Sequence, residues 1–184
     1  MITAADIPHE LVDGSAPADE TTVLQQLADL GIQHNTFHHA QVFTVAEAKE
    51  LRGDLTGSHI KNLFLRNKKG HMWLVTCHED LQIDLKQMAN LLGAGRFSFA
   101  SPQRLMHYLG VKPGAVTPLA VINDTSNLVQ VILDDAILHD DAINVHPLHN
   151  GATTSIAPGD LVKYLSVLDH EPKIIDMTSL RRQG

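Results

Sequence analysis

Twelve histidines among 184 residues make metal coordination the first chemistry to test. His146 and His149 stand three apart and His38 and His39 are adjacent, but there is no HExxH, no paired-cysteine motif and no carboxylate at a diagnostic spacing. No metal site and no cofactor are therefore expected. A GxSxG elbow, a phosphate-binding glycine loop and a dinucleotide fingerprint are missing too. The single cysteine, Cys77, cannot close an internal disulfide, and beside the apolar run Met72 to Thr76 it reads as a small buried hydrophobe rather than a nucleophile.

What remains are groups that hold and polarise a substrate. Lys61 is a compact cation able to hold a phosphate or a developing negative charge, and Asn62 can orient a carbonyl or a hydroxyl. His146 can orient water near neutral pH. Gly114, followed by Ala115, Val116, Thr117 and Pro118, lets backbone N–H groups come close to a ligand. Thr153 and Thr154 add hydroxyls. Each has a plain structural alternative: Lys61 as a strand-end surface lysine, the glycine loop as a connector, His146 as a hydrogen-bonded histidine beside Pro147, the threonines as ordinary strand residues. Pattern and spacing alone stop at an α+β domain of unassigned function.

The elements that must position these groups follow from periodicity and punctuation. The first twenty residues, with Pro8, Gly14, Ser15 and Pro17, read as a loose arm, and a single domain is expected over residues 21–180. Thr21 or Thr22 can cap a helix carrying Val23, Leu24, Leu27 and Leu30, ended by Gly31. A strand follows near Ile32 to His38, then a capping box at Thr44 to Glu47 opening a short helix to about Leu51. Ile60 to Arg66 and His71 to Cys77 form a hairpin around the turn Asn67 to Gly70. Asp84 caps a helix through Leu92. Ser101 and Pro102 start another that stops at Gly110. Strands are expected at Leu119 to Asn123, Leu128 to Leu133, near Asn144 to His146, at Thr153 to Ile156 and at Lys173 to Met177, with a helix from Pro158 to Leu168. The result is an α+β domain with a mixed, largely antiparallel central sheet flanked by helices.

A net charge of −7 argues against general DNA binding, since coating nucleic acid needs many phosphates neutralised. It allows a local contact through Lys61, Arg66, Lys68 and Lys69, although Lys68 and Lys69 also suit a solvated turn. No apolar run is long enough for a membrane span and the N-terminus, with Asp6, Glu10 and Asp13, lacks a secretory pattern, so the cytoplasm is the expected location.

Four segments together carry a resemblance. Val42-Phe43-Thr44-Val45-Ala46-Glu47-Ala48, His59-Ile60-Lys61-Asn62-Leu63-Phe64-Leu65, Gly114-Ala115-Val116-Thr117-Pro118, and Asn144-Val145-His146-Pro147-Leu148 with Ala152-Thr153-Thr154 resemble, in that order, the editing-domain superfamily of bacterial prolyl-tRNA synthetases and its free-standing relatives. The resemblance implies a deacylase that removes a wrong amino acid from proline tRNA, closest to those acting on alanine; cysteine, serine and threonine are the alternatives within the superfamily, and a non-catalytic tRNA- or synthetase-binding module the alternative outside catalysis. It places Lys61, Asn62, His146 and Gly114 at the reacting centre and Phe43, Thr44, Val45, Ala115, Thr117, Pro118, Thr153 and Thr154 around the substrate. The implied partners are the acceptor end of mischarged tRNA(Pro) and prolyl-tRNA synthetase. A pocket fitted to alanine refuses proline by size, the logic of a second sieve, with Phe43, Val45 and Ala46 as candidate walls.

Overall fold

The structure, a computed structural model, describes residues 7–40 and 56–181. The helix expected from Thr44 lies outside them, as do Phe43, Thr44 and Val45. The described part of the N-terminal arm has neither helix nor strand up to Asp19, but it is docked: Leu11 is buried, Val12 N–H donates to the His107 carbonyl at 2.9 Å and Ala18 N–H to Asn123 Oδ1 at 2.8 Å.

Helix α1 spans Glu20–Asp29. Its cap is Asp19 rather than either threonine, because the carboxylate accepts both the Thr22 N–H at 2.9 Å and the Thr22 hydroxyl at 2.7 Å while adding negative charge at the positive helix end. Strand β1 is His34–His38; β2 (Ser58–Arg66) and β3 (Met72–His78) form the expected hairpin, in register from Ile60 opposite His78 to Arg66 opposite Met72. Asn67 pins its turn, accepting from His71 N–H at 3.0 Å and donating to the Ala94 carbonyl at 2.9 Å. Asp84 caps α2 (Leu85–Leu91), β4 is Ser98–Phe99, and Ser101 caps α3 (Pro102–Leu109). At the end of α3 Gly110 has φ +64°, and a Cβ there would meet Asn123 Nδ2 at 2.5 Å, so both backbone and space require glycine.

The segment Leu119 to Asn123 departs from expectation. It is a 3-10 helix, Pro118–Asn123, capped by Thr117, whose hydroxyl accepts from Leu119 N–H at 3.3 Å. Proline at its start presets a helical φ and cannot donate to a ladder, which disfavours a strand there. Then come β5 (Val129–Asp134), β6 (Ile143–Val145), β7 (Ala152–Ile156), α4 (Pro158–Val167) and β8 (Lys173–Ile175).

The sheet order is β1-β7-β6-β2-β3-β5-β8, with β4 also on β2. Pairs β1–β7, β6–β7, β2–β3 and β2–β4 are antiparallel; β2–β6, β3–β5 and β5–β8 are parallel. This is the mixed sheet with flanking helices expected of the single domain. Two apolar clusters cover it. The larger contains Val23, Leu27, Phe64, Leu74, Leu119 and Tyr164; the other, under α2, contains Leu65, Trp73, Val75, Cys77 and Met88. Because successive strand residues face opposite ways, Leu74 enters one cluster and its neighbours Trp73 and Val75 the other, so β3 is sealed on both faces. In β7 buried and half-buried residues alternate, with only Ala152, Thr154 and Ile156 on the core side.

Candidate active site

Several polar residues of the β1-β7-β6-β2 half-sheet lie on the face away from the larger core. Ile143, Val145 and Ile156 point into that core, so Asn144, Thr153 and Ser155 point the other way. Directly paired residues share a face: His59 lies opposite Asn144, Asn144 opposite Ser155, and Thr153 opposite Phe37. Lys61, two residues beyond His59 on β2, joins this face, and His146 continues the alternation of β6 just past its end. Thr153 is held by its hydroxyl, 2.9 Å from His39 Nε2; the His39 Nδ1, 2.8 Å from the Ala40 carbonyl, bears the ring hydrogen, so Thr153 is the donor.

His146 Nδ1 lies 3.0 Å from the carbonyl of Ala152. A carbonyl only accepts, so Nδ1 carries the hydrogen of that bond. Lys61 donates through Nζ to the Leu81 carbonyl, which uses one of the three donors of its ammonium. Opposite it on β3, Cys77 is fully buried; burial pushes its thiol up to about 12, against a smaller lowering by the Lys61 charge, so it stays an unreactive thiol at neutral pH.

Asn62 faces the other way from Lys61. Its Oδ1 accepts from the Thr76 hydroxyl at 2.7 Å and its Nδ2 donates to the Val116 carbonyl at 2.9 Å, which fastens the Gly114 to Pro118 loop to the hairpin. Gly114 is exposed with φ +88°, Ala115 N–H closes a turn on the Lys112 carbonyl at 3.0 Å, and Ala115, Thr117 and Pro118 are buried. Thr154 is also buried, 2.8 Å hydroxyl to hydroxyl from Thr36. The described candidates thus divide: Lys61, His146 and Thr153 on the polar face, and Asn62, Thr154 and the buried loop residues packed on the core side.

Sequence reasoning missed Glu20 as a site neighbour and met His149 only as a metal candidate. Glu20 binds both His38 Nε2, at 2.8 Å, and His149 Nε2, at 2.9 Å. Burial pushes the Glu20 carboxyl up, but the two histidines outweigh it by hydrogen bond and charge and hold it below the usual range. Among the described residues no group of three or more His, Cys, Asp or Glu could hold a metal ion, and no helix is long and apolar enough to cross a membrane.

A sequence profile of the aminoacyl-tRNA editing domain matches residues 39–164, a span holding Lys61, the glycine loop, His146 and Thr153. The chain belongs to this family. It is 36% identical over 163 residues to the prolyl-tRNA synthetase associated domain-containing protein 1 of Danio rerio, covering 87% of this chain and 89% of that protein. It is 34% identical over 156 residues to the prolyl-tRNA editing protein ProX of Acetoanaerobium sticklandii, covering 84% and 95%. A solved structure described as a candidate trans-editing enzyme for prolyl tRNA synthetase superposes with a TM-score of 0.69 over 91% of this editing-domain chain and all of that one, at 18% identity, which supports the shared fold. Glu20 lies outside the span that the family profile matches.

Proposed function

We propose that this editing-domain protein is a trans-acting aminoacyl-tRNA deacylase of the cytoplasm that hydrolyses alanine wrongly attached to tRNA(Pro). The observation that carries the reading is the common polar face of Lys61 and His146, inside the matched family span. The substrate is an ester between an amino acid carbonyl and a ribose hydroxyl of the terminal adenosine. It is already activated, so a site need only hold it, polarise the carbonyl and direct a water.

His146 Nε2 accepts a proton as the water oxygen bonds to the carbonyl carbon. The ammonium of Lys61 steadies the negative charge that develops on the carbonyl oxygen, or holds an already charged phosphate of the acceptor end. The carbon–oxygen ester bond then breaks, the proton passes to the departing ribose oxygen, and free alanine and uncharged tRNA(Pro) leave. Asn62, on the opposite face of β2, serves by holding the glycine loop to the hairpin through Val116. Thr153, on the same face, and the segment Phe43, Thr44, Val45 bound the amino acid, and proline is refused for size; Thr154, Ala115, Thr117 and Pro118, buried on the other side of the sheet, support that face rather than line it. Prolyl-tRNA synthetase, which makes the wrong ester, is the proposed partner.

The test is deacylation of tRNA(Pro) charged separately with alanine, cysteine, serine and proline, with and without a chelator. The alanyl ester is expected to disappear and the prolyl ester to persist, chelator or not. Loss of both at one rate, or of neither, would overturn the reading, and faster loss of the cysteinyl or seryl ester would reassign the amino acid.

A further inference from the structure

The turn that presents His146 is fastened to a helix outside the span that the family profile matches. Between β6 and β7, Leu148 is held at φ +70°, a conformation that a leucine does not choose on its own. Around it Gly151 N–H donates to His149 Nδ1 at 3.0 Å, and the Gly151 carbonyl accepts from His39 N–H at 3.0 Å. The next residue, Ala152, supplies the carbonyl that fixes the His146 ring. His149 therefore accepts with Nδ1 and carries its ring hydrogen on Nε2, which donates to Glu20 at 2.9 Å. The other oxygen of the same carboxylate binds His38 at the end of β1. Glu20 opens α1, which is anchored in the core by Val23 and Leu27, so the carboxylate is a bracket on a rigid element rather than a loose surface charge.

We propose that Glu20 is a positioning residue for hydrolysis: it holds the β6–β7 turn through His149 and so keeps His146 aimed at the face that carries Lys61. This rests on the reading that His146 handles the attacking water. A catalytic group displaced by about 1 Å can lose up to about a hundredfold in rate, which is why a bond three links away from the ring is felt.

The experiment is a double-mutant cycle read by single-turnover hydrolysis of alanyl-tRNA(Pro), with thermal unfolding to confirm that each variant folds. Glu20→Ala is expected to slow the chemical step by about tenfold to a hundredfold with KM nearly unchanged. In a His146→Ala background the same substitution is expected to change nothing further, a coupling that a general loss of stability would not produce. His149→Asn is the second variant: asparagine can still accept the Gly151 N–H two residues on but cannot reach Glu20, and it should match Glu20→Ala even if the latter folds poorly. Nitrogen NMR should find the His149 hydrogen on Nε2 in the parent and a mixture of tautomers in Glu20→Ala. Parental rates in both Glu20→Ala and His149→Asn, with His146→Ala slow, would overturn the bracket alone. A parental rate in His146→Ala would instead overturn the reading beneath it.

Discussion

β3 and β7 belong to one sheet, yet they are finished differently. β3 is buried at every residue from Met72 to Cys77, between two apolar clusters, and among the described residues most polar groups of that half are paired internally, with Trp73 Nε1 and one Asp134 carboxylate oxygen the buried exceptions. Asp124 and His170, each with a side chain only 2% exposed, meet at 3.1 Å; Asp124 also accepts from Val129 N–H at 2.7 Å, and His170 Nδ1 faces the Leu168 carbonyl at 2.7 Å. β7 has a core on one side only, and its other face offers Thr153 and Ser155 beside Asn144 and Lys61. A sheet sealed on both faces must satisfy its polar groups internally, whereas one sealed on a single face can keep a cation, an imidazole and hydroxyls for a ligand. The same mixed topology thus provides a half sealed on both faces and a half with one open polar face, joined along β2, and the proposed chemistry falls to the open face.

The largest effect expected from this division is on the sealed side. Asp124→Ala leaves His170 buried without its partner and should cost about 3–5 kcal/mol in chemical denaturation, the usual result of breaking a buried pair, while the molecules that remain folded hydrolyse ester at the parental rate. A loss below about 1 kcal/mol, or a slower chemical step in the folded fraction, would mean that the two halves are not separable in this way.

A smaller effect is expected at the seam, where Asp140 accepts from the Ser58 hydroxyl and from His78 Nε2 at 2.8 Å. Burial pushes the Asp140 carboxyl up, but Ser58 and His78 outweigh it and hold it below the usual range. A depressed carboxylate stabilises the fold above its ordinary value, and the benefit is lost as pH falls through the folded value. The side chains of His78 and Asp140 are 40% and 36% exposed, so screening keeps the contribution to less than about 1 kcal/mol. Asp140→Asn should therefore melt slightly below the parent at about pH 7, with the gap narrowing as pH falls below the ordinary carboxylate range. A gap independent of pH would remove the ionised clasp from the account.

Most of the sealed scaffold was legible in the sequence because its signals are local. The lysine and glycine turn gave the β2–β3 hairpin, Asp84 the start of α2, and Ser101 with Pro102 the start of α3. Leu119 to Asn123 was misread as a strand because its residues are buried almost all round, which erases the period that separates helix from strand. The half with the open face was legible only in part. Lys61 and His146 stand out through the family resemblance, but that Lys61 and Asn62 face opposite sides of β2 follows from pairing, and the link between Glu20 and His149 spans 129 residues. No local pattern announces a bond of that kind.

The central claim is that the polar face carries the chemistry, and Lys61 tests it most directly. Lys61→Ala and Lys68→Ala each remove one positive charge, the first from that face and the second from the exposed turn at the far end of β2. With both variants shown to fold by thermal unfolding, single-turnover hydrolysis of alanyl-tRNA(Pro) should fall about tenfold to a thousandfold in Lys61→Ala, as for loss of one electrostatic contact at a reacting centre, and remain near parental in Lys68→Ala. A Lys61→Ala protein as fast as the parent, or no slower than Lys68→Ala, would contradict it.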